Sequence, residues 1–170
     1  MDPKSLIDYL QLKPHPEGGW YRESYRSDEE IPENGLPERY SGKRSFCTAI
    51  YFMLEKSDFS AFHRVNSDEI WHYYAGSAIT IHQISSEGKY SSVQLGSDIE
   101  SGQQFQYTVP AGRWFAAEIS GGAFSLVGCT VAPGFDFADF EMADREILLK
   151  NYPEHSILIC RLTRPKKLPE

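Results

Sequence analysis

The middle of the chain constrains the fold most, because short apolar-alternating segments follow one another there with no helical pattern between them. From Ser45 onward they read SFCTAIYFML, SAFHRV, EIWHYY, AITIHQI, YSSVQL, QFQYTV, RWFAAEI and AFSLVGCTV. Turn chemistry separates them as EKSD, AGS, SSEGK, GSDIESG, PAG and SGG. Gly, Asp, Ser and Pro supply the backbone angles that a tight reversal needs. Parallel strands require long crossovers, usually helices, and no such pattern intervenes. The run therefore predicts an all-β fold, an antiparallel sandwich or barrel whose core spans about 45–131.

Helical patterns flank this core. Asp2 and Pro3 make an N-cap and first-turn pair, and Leu6, Ile7 and Leu10 fall on one face, so a short helix opens the chain and ends at Pro14. HPEGGW reads as a turn, WYRESYR as a strand, and the Pro- and Gly-rich residues 27–43 as a loop. A second helix is predicted over 139–150, where Phe140, Ala143 and Ile147 share a face and Asp139 and Glu141 favour its start. Asp136 and Asp139 read as helix caps, and SILICRL as a closing edge strand. With no internal repeat or linker, residues 1–170 are read as one domain.

Charge and cysteine usage narrow the function. The net charge of −7 at pH 7 argues against nonspecific binding to nucleic acid or an anionic membrane, and the terminal RPKK reads as a solvated tail. The three cysteines have no CxxC spacing and no basic, apolar leader precedes them, which points to reduced thiols in the cytoplasm.

Residues 62 to 76, FHRVNSDEIWHYYAG, carry a second signal. His63, Glu69 and Gly76 resemble the first cupin motif, G-x5-H-x-H-x3-E-x6-G, and Pro110 and Gly112 of VPAGRWF resemble the second, G-x5-P-x-G-x2-H-x3-N. PHPEGGWYRESYRS, HRVNSDEIWHYYAG, VPAGRWF and VGCTVAPGFDFADFE are similar to segments of the fifth cupin family, a domain of unknown function. The resemblance implies a jelly-roll β-barrel, to which the flanking patterns add a short N-terminal helix and a C-terminal helix. In metal-holding cupins two histidines and the glutamate of the first motif, with the histidine of the second, hold a divalent ion. Here Val65 and Phe115 stand at two of those positions, and Ile119 replaces the asparagine. Too few ligands remain for a firm site, so no cofactor is expected.

Strand parity places the candidate pocket. If His63 faces inward, so do Ala61 and Val65, then Glu69, Trp71 and Tyr73, with Ile70, His72 and Tyr74 opposite. Arg113 is placed on the face of Phe115, and Tyr51 joins the pocket if its strand turns that parity inward. A histidine beside a carboxylate in an apolar pocket suits proton transfer. This predicts a small-molecule ligand and a metal-independent isomerase or epimerase, with His63 as base, Glu69 as its orienting partner and, as acid, Tyr73, or Tyr51 if its strand turns inward. Burial lowers the pKa of His63 and Glu69 raises it, which predicts a value near neutrality. A ring locked in one protonation state would instead favour a noncatalytic, ligand-binding cupin; a metal enzyme using His63, Glu69 and His72 is the third reading. Arg22 and Arg26 share a face by strict alternation. The apolar outward set Ile70, His72 and Tyr74 predicts a homodimer.

Overall fold

The computed structural model describes residues 2–165, so Lys166 and Lys167 of the RPKK tail lie outside the described residues. In chain order the elements are α1 (Pro3–Leu10), β1 (Lys13–Pro14), β2 (Trp20–Arg26), β3 (Glu30–Ile31), β4 (Arg44–Ser45), β5 (Thr48–Glu55), β6 (Phe59–Val65), β7 (Asp68–Gly76) and β8 (Ile79–Ile84). Then come β9 (Tyr90–Leu95), β10 (Gln106–Val109), β11 (Trp114–Ile119), β12 (Phe124–Ala132), β13 (Phe140–Met142), α2 (Arg145–Asn151) and α3 (Ser156–Arg161).

Two antiparallel sheets form the body. One has the order β1-β2-β5-β12-β7-β10, the other β13-β6-β11-β8-β9. From β5 to β13 each strand lies in the other sheet from the one before it, except that β9 pairs with β8 as a hairpin. The inner faces meet in one apolar cluster that includes Phe52, Trp71 and Val127 from the first sheet and Ile79, Ile81 and Phe115 from the second. Trp71 and Phe115 are within 1% of full burial, and strand alternation alone accounts for both.

The helices cover the outside. Asp2 accepts the Ser5 N–H at 3.1 Å, and Leu6 of α1 packs on Met53, Phe124 and Leu126, which face away from the barrel interior. Leu148 of α2 and Ile159 of α3 pack with Leu162 on Phe62, Ile84 and Ala116 of the other sheet. Among the described residues no helix is long and apolar enough to cross a membrane.

The C-terminal expectations need two corrections. SILICRL forms α3 rather than a strand, because Ile159 and Leu162 are also three apart and that spacing puts both on the side that meets Leu148. The second helix starts at Arg145, since Phe140–Met142 pairs with β6 as an edge strand. Its cap is Asp144, which accepts the Glu146 and Ile147 N–H groups. Asp139 caps no helix. It is buried and forms a two-pronged bond to Arg44, at 2.6 and 2.8 Å.

Candidate functional site

Beside the apolar cluster the space between the sheets opens into a pocket of about 410 Å³. Its wall is aromatic, from Tyr21, Phe52, Phe135, Phe137 and Phe140, and its polar groups include His15, Glu17, His63 and Glu69. A mostly apolar concavity with a few convergent polar groups is the usual form of a small-molecule site.

His63 projects inward from β6, with its ring 4.1 Å from that of Phe115. Its Nδ1 lies 2.7 Å from the Ala61 carbonyl oxygen. A carbonyl only accepts, so Nδ1 carries the proton and Nε2 is left with a lone pair. That Nε2 lies 3.3 Å from Glu17 Oε2. Glu17 comes from the loop between β1 and β2, whose carbonyl accepts the Ala61 N–H at 2.9 Å. Its Oε1 accepts the Ser60 hydroxyl at 2.9 Å.

His15, in the same loop, completes the arrangement. Its Nδ1 accepts the Glu17 backbone N–H at 3.3 Å, and lies 3.3 Å from the same Oε2. Two ring nitrogens that are both acceptors therefore face one carboxyl oxygen. A protonated Oε2 can donate to the His63 lone pair, whereas an ionised one would set a charge against both nitrogens. The electrostatics agree. Burial, then repulsion from Glu69, pushes the Glu17 pKa well above the carboxylate range, against the Ser60 bond. Burial lowers His63 to about 3 and His15 to about 4. The contact of Glu17 with the two rings is thus one between neutral groups rather than an ion pair.

Glu69, from β7, is buried at the same pocket and bonds to the Cys129 thiol. Burial raises its pKa to about 7, against the lowering effect of Cys129. The expectation that His63 titrates near neutrality is thus corrected. Desolvation decides the histidine, and the group poised near neutral pH is Glu69. The carboxyl that faces His63 is Glu17, with Glu69 held instead by Cys129.

The remaining candidates divide. Val65 lines the pocket, while Phe115 and Trp71 back it from the core, Trp71 between Phe52 and Phe115. Tyr73 packs against the core and donates its hydroxyl to the Gly76 carbonyl at 2.6 Å, so it offers the pocket no acid. Tyr51 faces outward, against Tyr74 and under Arg22. Arg113 lies in the turn before β11, half-buried, and acts on Glu87 rather than on the pocket. Arg22 and Arg26 part company at a β-bulge, where the register of β2 on β5 shifts between Glu23 and Tyr25. The extra residue reverses the parity and turns Arg26 to the pocket, bonded to Glu23.

Sequence reasoning missed His15 and Glu17. HPEGGW reads as a turn, and only the pairing of a histidine with an acid two residues on marks it as more.

The residues do not fit the metal set that the cupin motifs imply. Val65 and Phe115 offer no donor atom, Glu69 bonds to Cys129, and the free lone pair of His63 faces Glu17. Among the described residues no three His, Cys, Asp or Glu side chains are arranged to hold a metal ion. His72 is no substitute, because it lies on the outer face with Nε2 3.1 Å from the Thr130 hydroxyl. Elemental analysis of protein purified without added metal is expected to find far less than one transition metal per chain. A value near one would contradict this.

The model of the family Cupin_5, described as cupin superfamily (DUF985), matches residues 4–143. The uncharacterized protein YML079W of Saccharomyces cerevisiae is 31% identical over 160 residues, 87% of this chain and 78% of the yeast protein. The crystal structure of protein SO0799 from Shewanella oneidensis superimposes with a TM-score of 0.89 at 40% identity, covering 98% of this chain and 99% of that one. A hypothetical protein from Leishmania major gives 0.86 at 35%, covering 96% and 99%. Oxalate decarboxylase from Bacillus subtilis gives 0.54 at 12% identity, covering 92% of this chain and 40% of its own, a likeness of fold alone.

Proposed function

This chain belongs to the Cupin_5 family (DUF985) of the cupin superfamily, and we propose that it binds a small carbonyl-bearing or carbohydrate-like molecule and shifts a proton on it without a metal. One observation carries the reading: a proton-holding carboxyl, Glu17, and a carboxyl poised near neutrality, Glu69, line one pocket. Groups whose environments separate their protonation states at one pH can serve as acid and base in the same turnover.

In this reading the Glu69 carboxylate removes a proton from the carbon next to a bound carbonyl. The proton held between Glu17 and His63 goes to the carbonyl oxygen, and an enol results. Glu69 then returns its proton to the neighbouring carbon, giving the isomer, or a solvent proton reaches the other face, giving the epimer, while an enol hydroxyl returns a proton to Glu17. The acid role assigned to Tyr73 passes to Glu17, and the base role of His63 to Glu69. His63 sets the direction of the Glu17 proton.

A panel of aldoses, ketoses and 2-oxo acids in D2O tests this by NMR. The expected result is exchange of the C–H next to the carbonyl in at least one compound, lost in Glu69→Gln. A ligand that binds with no exchange would select the noncatalytic reading. That second reading is favoured by the neutral, buried state of His63, which suits a fixed hydrogen-bonding group.

We also propose a homodimer built on the outer face of β7, where Tyr74 is 52% exposed beside Ile70 and His72. Its free thiols, Cys47, Cys129 and Cys160, suit the cytoplasm. Light scattering at micromolar concentration is expected to give twice the chain mass of 19.4 kDa, and a Tyr74→Lys variant is expected to shift toward monomer. A monomeric wild type would contradict the dimer.

A further inference from the structure

The loop that brings His15 and Glu17 to the pocket lacks regular structure, so something must hold it. Gly18 and Gly19 turn it at positive φ, Ser60 and Ala61 hold Glu17 from the inner side, and a carboxylate anchors it on the outer side. Asp58, in the turn between β5 and β6, accepts the Gly19 N–H at 2.6 Å through Oδ2. Its Oδ1 accepts the Phe59 N–H at 2.8 Å and a guanidinium N–H of Arg164 at 2.6 Å. Arg164 also donates to the Phe59 carbonyl at 3.1 Å and stacks over the Phe59 ring at 4.4 Å.

We infer that Arg164, just past the last helix, is a positioning residue that fixes Glu17 and His15 in the pocket through Asp58 and Gly19. The loop has little slack. Gly18 has φ +113°, and a Cβ there would lie 2.1 Å from the Phe59 carbonyl oxygen and 2.3 Å from the Arg164 guanidinium. The His15 N–H in turn donates to the Gly19 carbonyl at 2.9 Å, so a shift at Gly19 is passed to His15. A planar guanidinium can bond the carboxylate, bond the carbonyl and cover the ring at once, which an ammonium does less well. The ion pair is about 40% exposed on the Arg164 side, so its role is geometric more than stabilising.

The inference rests on reading Glu17 as the pocket acid, and its test needs no substrate. Isotope-labelled full-length protein is compared by NMR with Arg164→Ala, Arg164→Lys and Asp58→Asn, following the His15 and His63 rings and the Glu17 carboxyl, with thermal melting alongside. Arg164→Ala is expected to move both ring signals and to lower the Glu17 titration midpoint by on the order of one pH unit, as the loop loosens and water enters. Arg164→Lys is expected to recover part of the shift, and Asp58→Asn to reproduce it. Arg161→Ala, which breaks a pair to Glu118 elsewhere, is expected to leave all three signals in place. Arg164→Ala signals that superimpose on wild type would overturn the inference, whatever the melting temperature does. Should Arg164→Ala not fold, unmoved signals in Asp58→Asn would overturn it equally. Failure of carbonyl exchange in the wild type would sink the proposed chemistry and leave these shifts untouched.

Discussion

Glu69→Gln is expected to make the protein more stable above neutral pH, by about 3 kcal/mol at pH 8. Glu69 is buried and its pKa stands near 7, against an ordinary value of 4.5. Between those two values the folded chain binds more protons than the unfolded one, so stability falls as pH rises. Below pH 4.5 the carboxyl is neutral in both states and stability is fully present; above pH 7 the loss is complete. Glutamine copies the shape of the protonated acid and still accepts from the Cys129 thiol, but it has no charge to desolvate. Denaturation curves from pH 4 to 9 should therefore lose this decline in the variant. The same substitution removes the proposed base, so stability at alkaline pH should rise while proton exchange disappears. A stability difference between variant and wild type that does not grow from pH 4.5 to 7 would contradict the assignment, since His15 and His63 act in the opposite sense in both proteins.

His63→Gln is expected to keep the fold, within about 2 kcal/mol of wild type, and to abolish turnover. The ring is buried against Phe115 and Phe140 and bonds to the Ala61 carbonyl. The glutamine amide can replace that donor, so the structural cost is modest. It offers no aromatic nitrogen to Glu17 Oε2, and the Glu17 proton loses the acceptor that fixes its position. Removing a group that fixes a proton's position costs orders of magnitude in rate when the rest of the site is intact. His63 also contributes to acid sensitivity. Its pKa is depressed to about 3, so the stability it confers is present above pH 6.5 and is lost as pH falls toward 3. The variant should be the less acid-sensitive protein. Turnover that survives His63→Gln with a correctly folded pocket would leave the histidine a packing role.

Much of this is legible in the sequence, because side-chain alternation is a strong constraint in a two-sheet fold. It places His63, Val65, Glu69, Trp71 and Phe115 between the sheets, and it sets Ile70, His72 and Tyr74 outside. The failures have particular causes. Alternation assumes an unbroken ladder, and the bulge after Glu23 sends Arg22 and Arg26 to opposite faces. It also says nothing where no strand exists, which is why Arg113 was misplaced and why the loop bearing His15 and Glu17 read as a turn. TAIYFML is apolar on both sides, since α1 covers its outer face, so the direction of Tyr51 was open. SILICRL fits two periods at once, and contact with Leu148 settles it as a helix.

The partner of His63 is the residue on which the chemistry turns, and Glu17 lies 46 positions earlier in the chain, in a loop. No local pattern joins the two. The pocket's protonation follows from burial and that long-range contact, since ring nitrogens of His15 and His63 both lie 3.3 Å from one oxygen of Glu17.

The most direct test of this account is an NMR pH titration of the Glu17 and Glu69 carboxyl carbons together with the His63 ring. At pH 7 Glu17 should still be protonated, Glu69 should be near its midpoint, and the His63 ring should stay neutral from pH 5 to 9 with its proton on Nδ1. An ionised Glu17 facing a doubly protonated His63 at pH 6, with Glu69 already charged, would contradict it.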